Sequence, residues 1–295
     1  MIAGVLVVDK PEALTSHDVV AAARRVLGER RIGHCGTLDP MATGVLALAI
    51  GPATRLVQYL SADRKQYDAI VHFGRETDTY DATGEVVGES AVRPSQGEVE
   101  NALREFLGPS QQVPPAFSAK KIGGVRAYAL ARRKAAGTTV LEPIEVMCHD
   151  LTLTAFDGER AWLKMTVSAG FYVRSLAHDL GRALGSGAVL DALRRTRAGH
   201  FGVEQAVSFE RLVRASHGEL LADLVPLENL LPETPLLSLS DEDVQRVRHG
   251  LDLPAPPHLG EEATLVRLQD PAGRLVALAV PADRPGFLHP SAVLG

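Results

Sequence analysis

The sequence predicts an α+β fold with a largely antiparallel sheet, followed by a small β-rich unit at the C-terminus. Strand patterns and helix patterns are mixed along the first part of the chain, without the regular alternation that a parallel βαβ sheet requires. Serine residues stand directly before several helical patterns, where a side-chain oxygen can cap the first turn. A proline-bracketed break at 232–235 then precedes a tail with strand patterns and a tight turn.

Alternating or continuously apolar runs bounded by turn residues predict the strands. In chain order these strands are residues 4–8, 45–50, 67–73, 144–155 and 161–169. Helices are predicted where apolar residues recur with a helical period after a cap or a proline. Ser16 and Ser95 are the predicted caps, and Pro52 opens a helix. The predicted helices are residues 16–27, 52–60, 95–107, 173–184 and 208–215.

The tail at 232–295 is predicted to be a separate small unit. Ser240 caps a short helix that ends near residue 249, and a Pro-Ala-Gly turn lies at 271–273. The predicted strands of this unit are residues 264–269 and 275–280. Nine acidic residues against five basic ones make the unit a poor source of phosphate affinity. The sequence therefore divides into domains at 1–231 and 232–295.

Composition is that of a soluble globular protein. Of the 295 residues, 45% are hydrophobic and 23% are charged, and no apolar run approaches the ~20 residues that cross a bilayer. The N-terminus lacks the basic start of a signal peptide, so we expect a cytoplasmic protein. Cys35 and Cys148 are too few for a disulfide framework or a usual zinc site, and we expect both to be plain thiols.

A net charge of −5 argues against a nucleic-acid ligand, but the charge is unevenly distributed. The segment 113–141 contains no acidic residue; two prolines lie near its start and two glycines interrupt its basic run. Its six cations are Lys120, Lys121, Arg126, Arg132, Arg133 and Lys134. A solvated basic face is one explanation of such a run, whereas a flexible basic arm suits a folded, polyanionic RNA hairpin.

Asp39 is the one acidic residue in the stretch 33–46, and it lies between glycines and directly before a proline. The stretch reads Gly-His-Cys-Gly-Thr-Leu-Asp-Pro-Met-Ala-Thr-Gly-Val-Leu. The glycines permit backbone angles closed to other residues, and Pro40 biases Asp39 toward an extended conformation. The predicted buried strand 45–50 follows, so Asp39 lies just before an element of the core. A rigid element of this kind can hold a site residue in a precise position. A plain Asp-Pro turn is the alternative interpretation of these residues.

The whole stretch, rather than the aspartate alone, resembles the catalytic motif of the bacterial TruB-type pseudouridine synthases, which modify a uridine in the T-arm of tRNA. Further blocks match that family in the same order over roughly residues 1–231. They are Lys10-Pro11 with Thr15-Ser16, Arg64-Lys65-Gln66-Tyr67, residues 113–119 and residues 170–176. Two positions depart from the pattern without removing a chemical group, since Phe171 stands where threonine is common and Cys35 is at a variable position.

The resemblance implies the pseudouridine synthase fold, which is a bent mixed sheet with its active cleft along the middle. The tail resembles the small PUA-type domain that is often appended to RNA-modifying enzymes. Within the cleft, the resemblance implies that Asp39 is the catalytic carboxylate and that Arg174 pairs with it. It also implies that Tyr67 stacks on the flipped uracil, and we expect its hydroxyl to assist proton transfer.

Five further residues are expected to bind the RNA. The resemblance implies that Tyr172 forms a second wall of the base pocket and that Leu193 makes an apolar contact to the base. It also implies that His34 fills the space that the flipped nucleotide leaves in the RNA stack. Lys120 and Lys121 of the basic arm are expected to contact phosphates, because the matching loop of the family closes over RNA.

Isomerisation of uridine breaks the N1–C1′ bond, turns the bound uracil and joins C5 to C1′, with no redox change. The chain has no dinucleotide fingerprint, phosphate loop or His/Cys cluster, and we expect it to use no cofactor and no metal. The expected substrate is the T-loop of tRNA at position 55, and we expect a monomer with no protein partner. Asp39 can attack the sugar at C1′ or remove a proton from C2′, and we favour the second route.

Two other function classes remain open at this point. In an RNA-binding or tRNA-folding protein Asp39 would be idle, although the basic arm and the tail would serve equally well. A glycoside or nucleoside hydrolase would need a second carboxylate across the bond, for which Asp78 and Asp81 are candidates. The intact set of Asp39, Tyr67, Tyr172 and Arg174 argues against the pure RNA-binding protein, because such a protein needs no buried carboxylate–arginine pair.

Overall fold

The computed structural model describes residues 2–116, 121–122, 125–126, 142–256, 259 and 263–294. Lys120 and most of the predicted arm at 113–141 therefore lie outside the described residues. Lys121 lies in a two-residue strand, and its side chain is likewise outside what is described. Within these limits the chain forms a large sheet, a second five-stranded sheet and two short hairpins.

The strands alternate irregularly with helices along the chain. In chain order the strands are β1 (Gly4–Lys10), β2 (Ile32–His34), β3 (Thr43–Ile50), β4 (Lys65–Phe73), β5 (Arg75–Thr77), β6 (Val86–Glu89), β7 (Gly108–Gln112), β8 (Lys121–Ile122), β9 (Val125–Arg126), β10 (Ile144–Phe156), β11 (Arg160–Val167), β12 (Ala188–Ala198), β13 (Phe201–Gly202), β14 (Val207–Ser208), β15 (Leu236–Ser238), β16 (Leu253–Pro254), β17 (Val266–Gln269), β18 (Leu275–Pro281) and β19 (Phe287–Val293). The α-helices are α1 (Ser16–Leu27), α2 (Val57–Ala62), α3 (Gln96–Arg104), α4 (Val173–Ala183), α5 (Phe209–Arg214), α6 (His217–Ala222) and α7 (Asp241–Arg248).

The large sheet is mixed and mainly antiparallel, as the sequence predicts. Its strands run in the order β14-β1-β3-β12-β4-β11-β10-β7, with β2 beside β3 and β13 beside β12. The pairs β12–β3 and β1–β14 are parallel, and the other pairs in this sheet are antiparallel. The parallel contact of β3 with β12 is short and brings the loop before β3 against the middle of β12. This junction is where the candidate site lies.

Strand β3 is continuously apolar from Val45 to Ile50 because both of its faces are covered. Leu46, Leu48 and Ile50 point into a core that includes residues of α1, α3 and α4. The alternate residues of β3 point into a second core, which also contains Leu278 and Ala292 of the C-terminal sheet. Continuous burial on two faces explains why this strand lacks the alternation of a half-exposed strand.

The C-terminal sheet is built from β15 to β19 in the order β15-β17-β18-β19-β16. Two backbone hydrogen bonds close the turn between β17 and β18, as the Pro-Ala-Gly sequence predicts. The Asp270 N–H donates to the Arg274 carbonyl, and the Gly273 N–H donates to the Asp270 carbonyl. Helix α7 is capped by Ser240, also as predicted. The tail is thus β-rich, in agreement with the predicted fold class.

Several predicted element boundaries are corrected by the structure. Helix α1 is capped by Thr15 and not by Ser16. The Thr15 hydroxyl accepts the Asp18 N–H, and the Asp18 carboxylate in turn accepts the Thr15 N–H. The predicted helix 52–60 is a 3₁₀ segment, Gly51–Leu56, followed by α2. Helix α3 ends at Arg104, three residues before the predicted end.

Gly44 is the glycine on which the junction of β3 and β12 depends most directly. Its φ is 101°, and a Cβ built on it would lie 2.2 Å from the backbone oxygen of Arg195. We therefore expect Gly44→Ala to lower the free energy of unfolding by about 2–4 kcal/mol, from backbone strain and displacement of β12. Gly97→Ala is the matched control, since a Cβ there meets open space in α3 and helix propensity favours alanine. Urea unfolding measures both, and equal stabilities would contradict the expectation.

Candidate active site

Asp39 lies in a loop between β2 and β3 that is fixed from two sides. The Ser16 hydroxyl accepts the Leu38 N–H at 2.9 Å and donates to the Leu38 carbonyl at 3.2 Å. The Lys10 ammonium, which is fully buried, donates to the Pro40 carbonyl at 3.3 Å. Both residues on either side of Asp39 are therefore held by side chains from the N-terminal part of the chain.

Arg195 of β12 also binds the loop that carries Asp39. Its Nε donates to the Val45 carbonyl at 2.8 Å, and its terminal nitrogens donate to the carbonyls of Gly36 at 3.1 Å and Thr37 at 3.4 Å. The side chain is buried, so these carbonyls replace the water that a guanidinium otherwise binds. Arg195 was not predicted as a site residue, because nothing near it in the sequence indicates contacts to residues 36 and 37.

Arg174 forms a bidentate ion pair with Asp39, as the resemblance implies. Its Nε lies 2.9 Å from Asp39 Oδ2 and its Nη2 lies 3.2 Å from Asp39 Oδ1. The arginine side chain is only 6% exposed, whereas the Asp39 side chain is 34% exposed. A planar fork of two donors fixes the plane of the carboxylate and stabilises its charge. The carboxylate is held from behind and remains open toward the neighbouring pocket.

Asp81 lies against the same guanidinium. Arg174 Nη1 donates to the Thr79 carbonyl at 3.1 Å and lies 3.6 Å from Asp81 Oδ2. The other Asp81 oxygen accepts from the hydroxyls of Thr79 at 2.9 Å and Thr83 at 2.6 Å, and from the Thr83 N–H at 3.0 Å. The buried Asp81 carboxylate therefore already accepts hydrogen bonds from its own turn, and its contact with the guanidinium helps to orient Arg174. The Thr-x-Asp-x-Thr spacing is the sequence signal that could have indicated this turn.

A pocket of about 250 Å³ opens beside the Asp39–Arg174 pair. Tyr67 from β4 and Leu193 from β12 line it, together with Tyr172, the residue that precedes α4. Strands β4 and β12 are paired so that Tyr67 and Leu193 lie on the same face, two positions apart along the ladder. The five residues expected to act on the uracil and its sugar therefore meet at one pocket.

His34 lies at the end of β2 and outside the residues that line this pocket. Its ring is partly buried and packs edge to face against the ring of His17, with 5.6 Å between the ring centroids. The structure thus places His34 at the start of the Asp39 loop and not in contact with the pocket floor.

Two buried lysines add positive charge around the site. Burial lowers the pKa of Lys10 to about 8, against the opposing effect of the Asp39 and Glu12 carboxylates. Burial likewise lowers the pKa of Lys65 to about 8, with Arg195 acting in the same direction. Lys65 lines the pocket, and its ammonium donates to the carbonyls of two residues near the end of α2. The surroundings of Asp39 are strongly cationic, which suits an anionic ligand.

The lowered pKa of Lys10 predicts a pH-dependent stability. Between about pH 8 and 10.5 the unfolded chain binds more protons at this residue than the folded chain does, so the folded state gains stability as pH rises. We expect the wild type to gain about 1–3 kcal/mol relative to Lys10→Met between pH 7 and pH 10. Urea unfolding at both pH values measures the gain, with Lys164→Met on the exposed face of β11 as control. A pH-independent difference would refute it.

The two cysteines are free and buried, which confirms the prediction of plain thiols. Burial raises the pKa of Cys35 to about 12 and that of Cys148 to about 11, so both stay protonated at neutral pH. Among the described residues no three His, Cys, Asp or Glu side chains are grouped to hold a metal ion. No described helix is both long enough and apolar enough to span a membrane.

The fold is that of a pseudouridine synthase. A solved H/ACA RNP bound to a substrate RNA containing 2′-deoxyuridine superposes with a TM-score of 0.73 at 25% identity, covering 99% of this chain and 85% of that one. An archaeal box H/ACA sRNP Nop10-Cbf5 complex gives a TM-score of 0.73 at 26% identity, covering 99% and 86% of the two chains.

Sequence comparison specifies the family. Residues 24–173 match the N-terminal domain of the TruB family pseudouridylate synthases, and residues 174–232 match a tRNA pseudouridylate synthase B C-terminal domain. The chain therefore belongs to the TruB family of pseudouridine synthases, which are isomerases. A tRNA pseudouridine synthase B of Solibacter usitatus is 43% identical over 99% of both chains, and that of Thermobifida fusca is 43% identical over 98% of both.

Proposed function

We propose that this chain isomerises uridine to pseudouridine at position 55 in the T-loop of tRNA. The single observation that carries the proposal is the bidentate Asp39–Arg174 pair at the edge of a pocket lined by Tyr67, Tyr172 and Leu193. It offers an oriented carboxylate beside an aromatic and apolar cavity. Such a cavity suits a planar base that has been flipped out of an RNA stack. The relatives named for activity on tRNA support the choice of RNA.

In this proposal Asp39 removes the C2′ proton of the ribose after the N1–C1′ bond has broken. The uracil then turns within the pocket, C5 bonds to C1′, the proton returns to C2′, and the C5 proton is lost to solvent while N1 gains one. Arg174 holds the Asp39 carboxylate in its plane throughout. A primary kinetic isotope effect on substitution of deuterium at C2′ would support this route. Absence of such an effect would favour attack of Asp39 at C1′.

The pocket residues have separate roles in the proposal. Tyr67 stacks on the uracil, and its hydroxyl assists proton transfer, while Tyr172 forms the second wall and Leu193 the apolar contact. These side chains keep the freed base from diffusing away while it turns. His34, at the start of the loop and partly buried, occupies the gap that the flipped nucleotide leaves in the RNA.

The RNA contacts outside the pocket are proposed from charge. Lys120 and Lys121 of the basic segment bind backbone phosphates of the T-arm hairpin, which positions the RNA without reading its sequence. We also propose that residues 1–231 form the catalytic domain and that 232–295 form a PUA-like domain with a minor share of RNA affinity. The enzyme acts as a monomer, because the RNA uses the main basic surface.

A T-arm hairpin carrying tritium at uridine C5 tests the proposed function. Bond formation at C5 expels the label, so we expect wild-type protein to release tritium and to leave pseudouridine in the digested RNA. Binding without release would indicate an RNA-binding protein instead. Free uracil would indicate a hydrolase.

The structure gives little support to the hydrolase alternative. Asp81 is buried, does not line the pocket and already accepts bonds from Thr79 and Thr83. Asp78 accepts the Glu85 N–H at 2.9 Å within an exposed turn. Neither is placed as the second carboxylate that glycoside hydrolysis requires across the bond.

A further inference from the structure

The side-chain amide of Gln112 binds the backbone of Tyr172 through both of its polar atoms. Gln112 Oε1 accepts the Tyr172 N–H at 2.7 Å, and Gln112 Nε2 donates to the Tyr172 carbonyl at 3.0 Å. Gln112 is only 6% exposed. A buried amide that binds both backbone polar groups of a single residue fixes that residue in position and orientation. The Tyr172 carbonyl also accepts the Leu176 N–H at 3.2 Å, so the Tyr172 N–H is the group whose loss of its Gln112 partner would be costly.

Tyr172 occupies a position where such a constraint matters. It precedes α4 in an extended conformation, with φ −107° and ψ 107°, and its side chain makes no cap for the helix. The chain reaches it through Gly170, whose φ is 84°. Its ring lines the pocket, and Arg174 follows two residues later on the first turn of α4. The orientation of the Tyr172 backbone therefore sets where the ring stands relative to Asp39.

The strand that carries Gln112 is itself well anchored. Gln112 is the last residue of β7 and pairs with Ile144 at the start of β10. The next carbonyl along the chain, that of Val113, accepts the Ser175 hydroxyl at 2.8 Å. Two hydrogen-bonded contacts thus join the end of β7 to the start of α4, on a rigid frame of paired strands.

We propose that Gln112 is a positioning residue of the isomerisation, which holds the Tyr172 ring against the uracil and does not touch the substrate itself. Gln112 is not among the residues that line the pocket, so its effect on the reaction passes through Tyr172. The inference rests on the proposed function, since Gln112 would act by supporting a residue of the same base pocket. A wall held in this way keeps the uracil near C1′ while the base turns.

Gln112→Glu tests the inference with almost no change in size. The carboxylate still accepts the Tyr172 N–H but cannot donate, and it sets a negative charge against the Tyr172 carbonyl. We expect the single-turnover rate of tritium release to fall by about 10–100-fold, while Kd for the T-arm hairpin changes by less than about threefold. Gln111→Glu is the matched control, because it makes the same change one residue earlier on the exposed face of β7. That variant is expected to react within about twofold of wild type.

A double-mutant cycle separates positioning from loss of structure. In a Tyr172→Ala background the ring is already absent, so adding Gln112→Glu is expected to slow the reaction by less than about threefold. The full effect of Gln112→Glu in that background would overturn the inference. Gln112→Met, of similar length and uncharged, is run through the same cycle in case the buried charge prevents folding, and thermal melting reports on folding.

Failure of this inference is distinct from failure of the proposed function. If wild-type protein releases no tritium, the proposed function is wrong. If wild-type protein is active and both Gln112 variants match it, the function stands and Gln112 has no positioning role.

Discussion

Asp39→Asn is expected to lower the rate of pseudouridine formation by at least about 10⁴-fold, because the neutral amide can neither remove a proton nor attack the sugar. Asparagine keeps the size and shape of the side chain, so the pocket walls and the basic surface stay in place. We therefore expect Kd for the T-arm hairpin to change by less than about threefold. Single-turnover tritium release with enzyme in excess measures the chemical step, and filter binding measures Kd.

The control for this experiment is Asp283→Asn, which makes the same change at an exposed position in the C-terminal sheet region. It is expected to react within about twofold of wild type. Residual activity of Asp39→Asn within about tenfold of wild type would show that another group performs the chemistry. In that case the bidentate contact with Arg174 would have only a structural purpose.

Local patterns were sufficient for much of the fold but not for its central junction. Helix α1 has its predicted bounds because a cap precedes it, a glycine follows it, and the apolar residues between recur with the helical period. Strand β12 was missed although it joins the two halves of the large sheet. Two arginines interrupt the apolar pattern of this strand in the sequence. Arg194 forms an ion pair with Asp9, and Arg195 donates to backbone carbonyls of the Asp39 loop, all of which are distant in the sequence.

The site shows the same division between local and distant information. Asp39, Arg174 and Tyr67, which line one pocket, could be predicted as site residues because each lies within a recognisable block of sequence. Asp81 and Gln112 could not, since Asp81 contacts Arg174 and Gln112 binds Tyr172, residues that lie 60 or more positions away in the sequence. Hydrogen bonds between side chains and distant backbone leave no periodicity in the sequence. They become visible only when the chain is folded.

Arg174→Lys gives the second large effect that we expect, a fall of about 10²–10³-fold in the single-turnover rate. Lysine keeps the positive charge but replaces a planar fork by a single ammonium. It cannot bind both oxygens of Asp39 and also reach the Thr79 carbonyl and Asp81, which the guanidinium does at 2.9, 3.2, 3.1 and 3.6 Å. The carboxylate is then paired but no longer held in one plane.

The size of this effect distinguishes orientation from charge. Arg174→Met removes both, and we expect it to be slower than Arg174→Lys by no more than about tenfold if orientation is the main contribution. Arg211→Lys is the matched control, because Arg211 also binds both oxygens of an aspartate, Asp223, at 3.0 and 2.7 Å, on an exposed surface. If Arg174→Lys reacted as fast as wild type, charge alone would be sufficient, and the two-carboxylate arrangement around Arg174 would have no part in orienting Asp39.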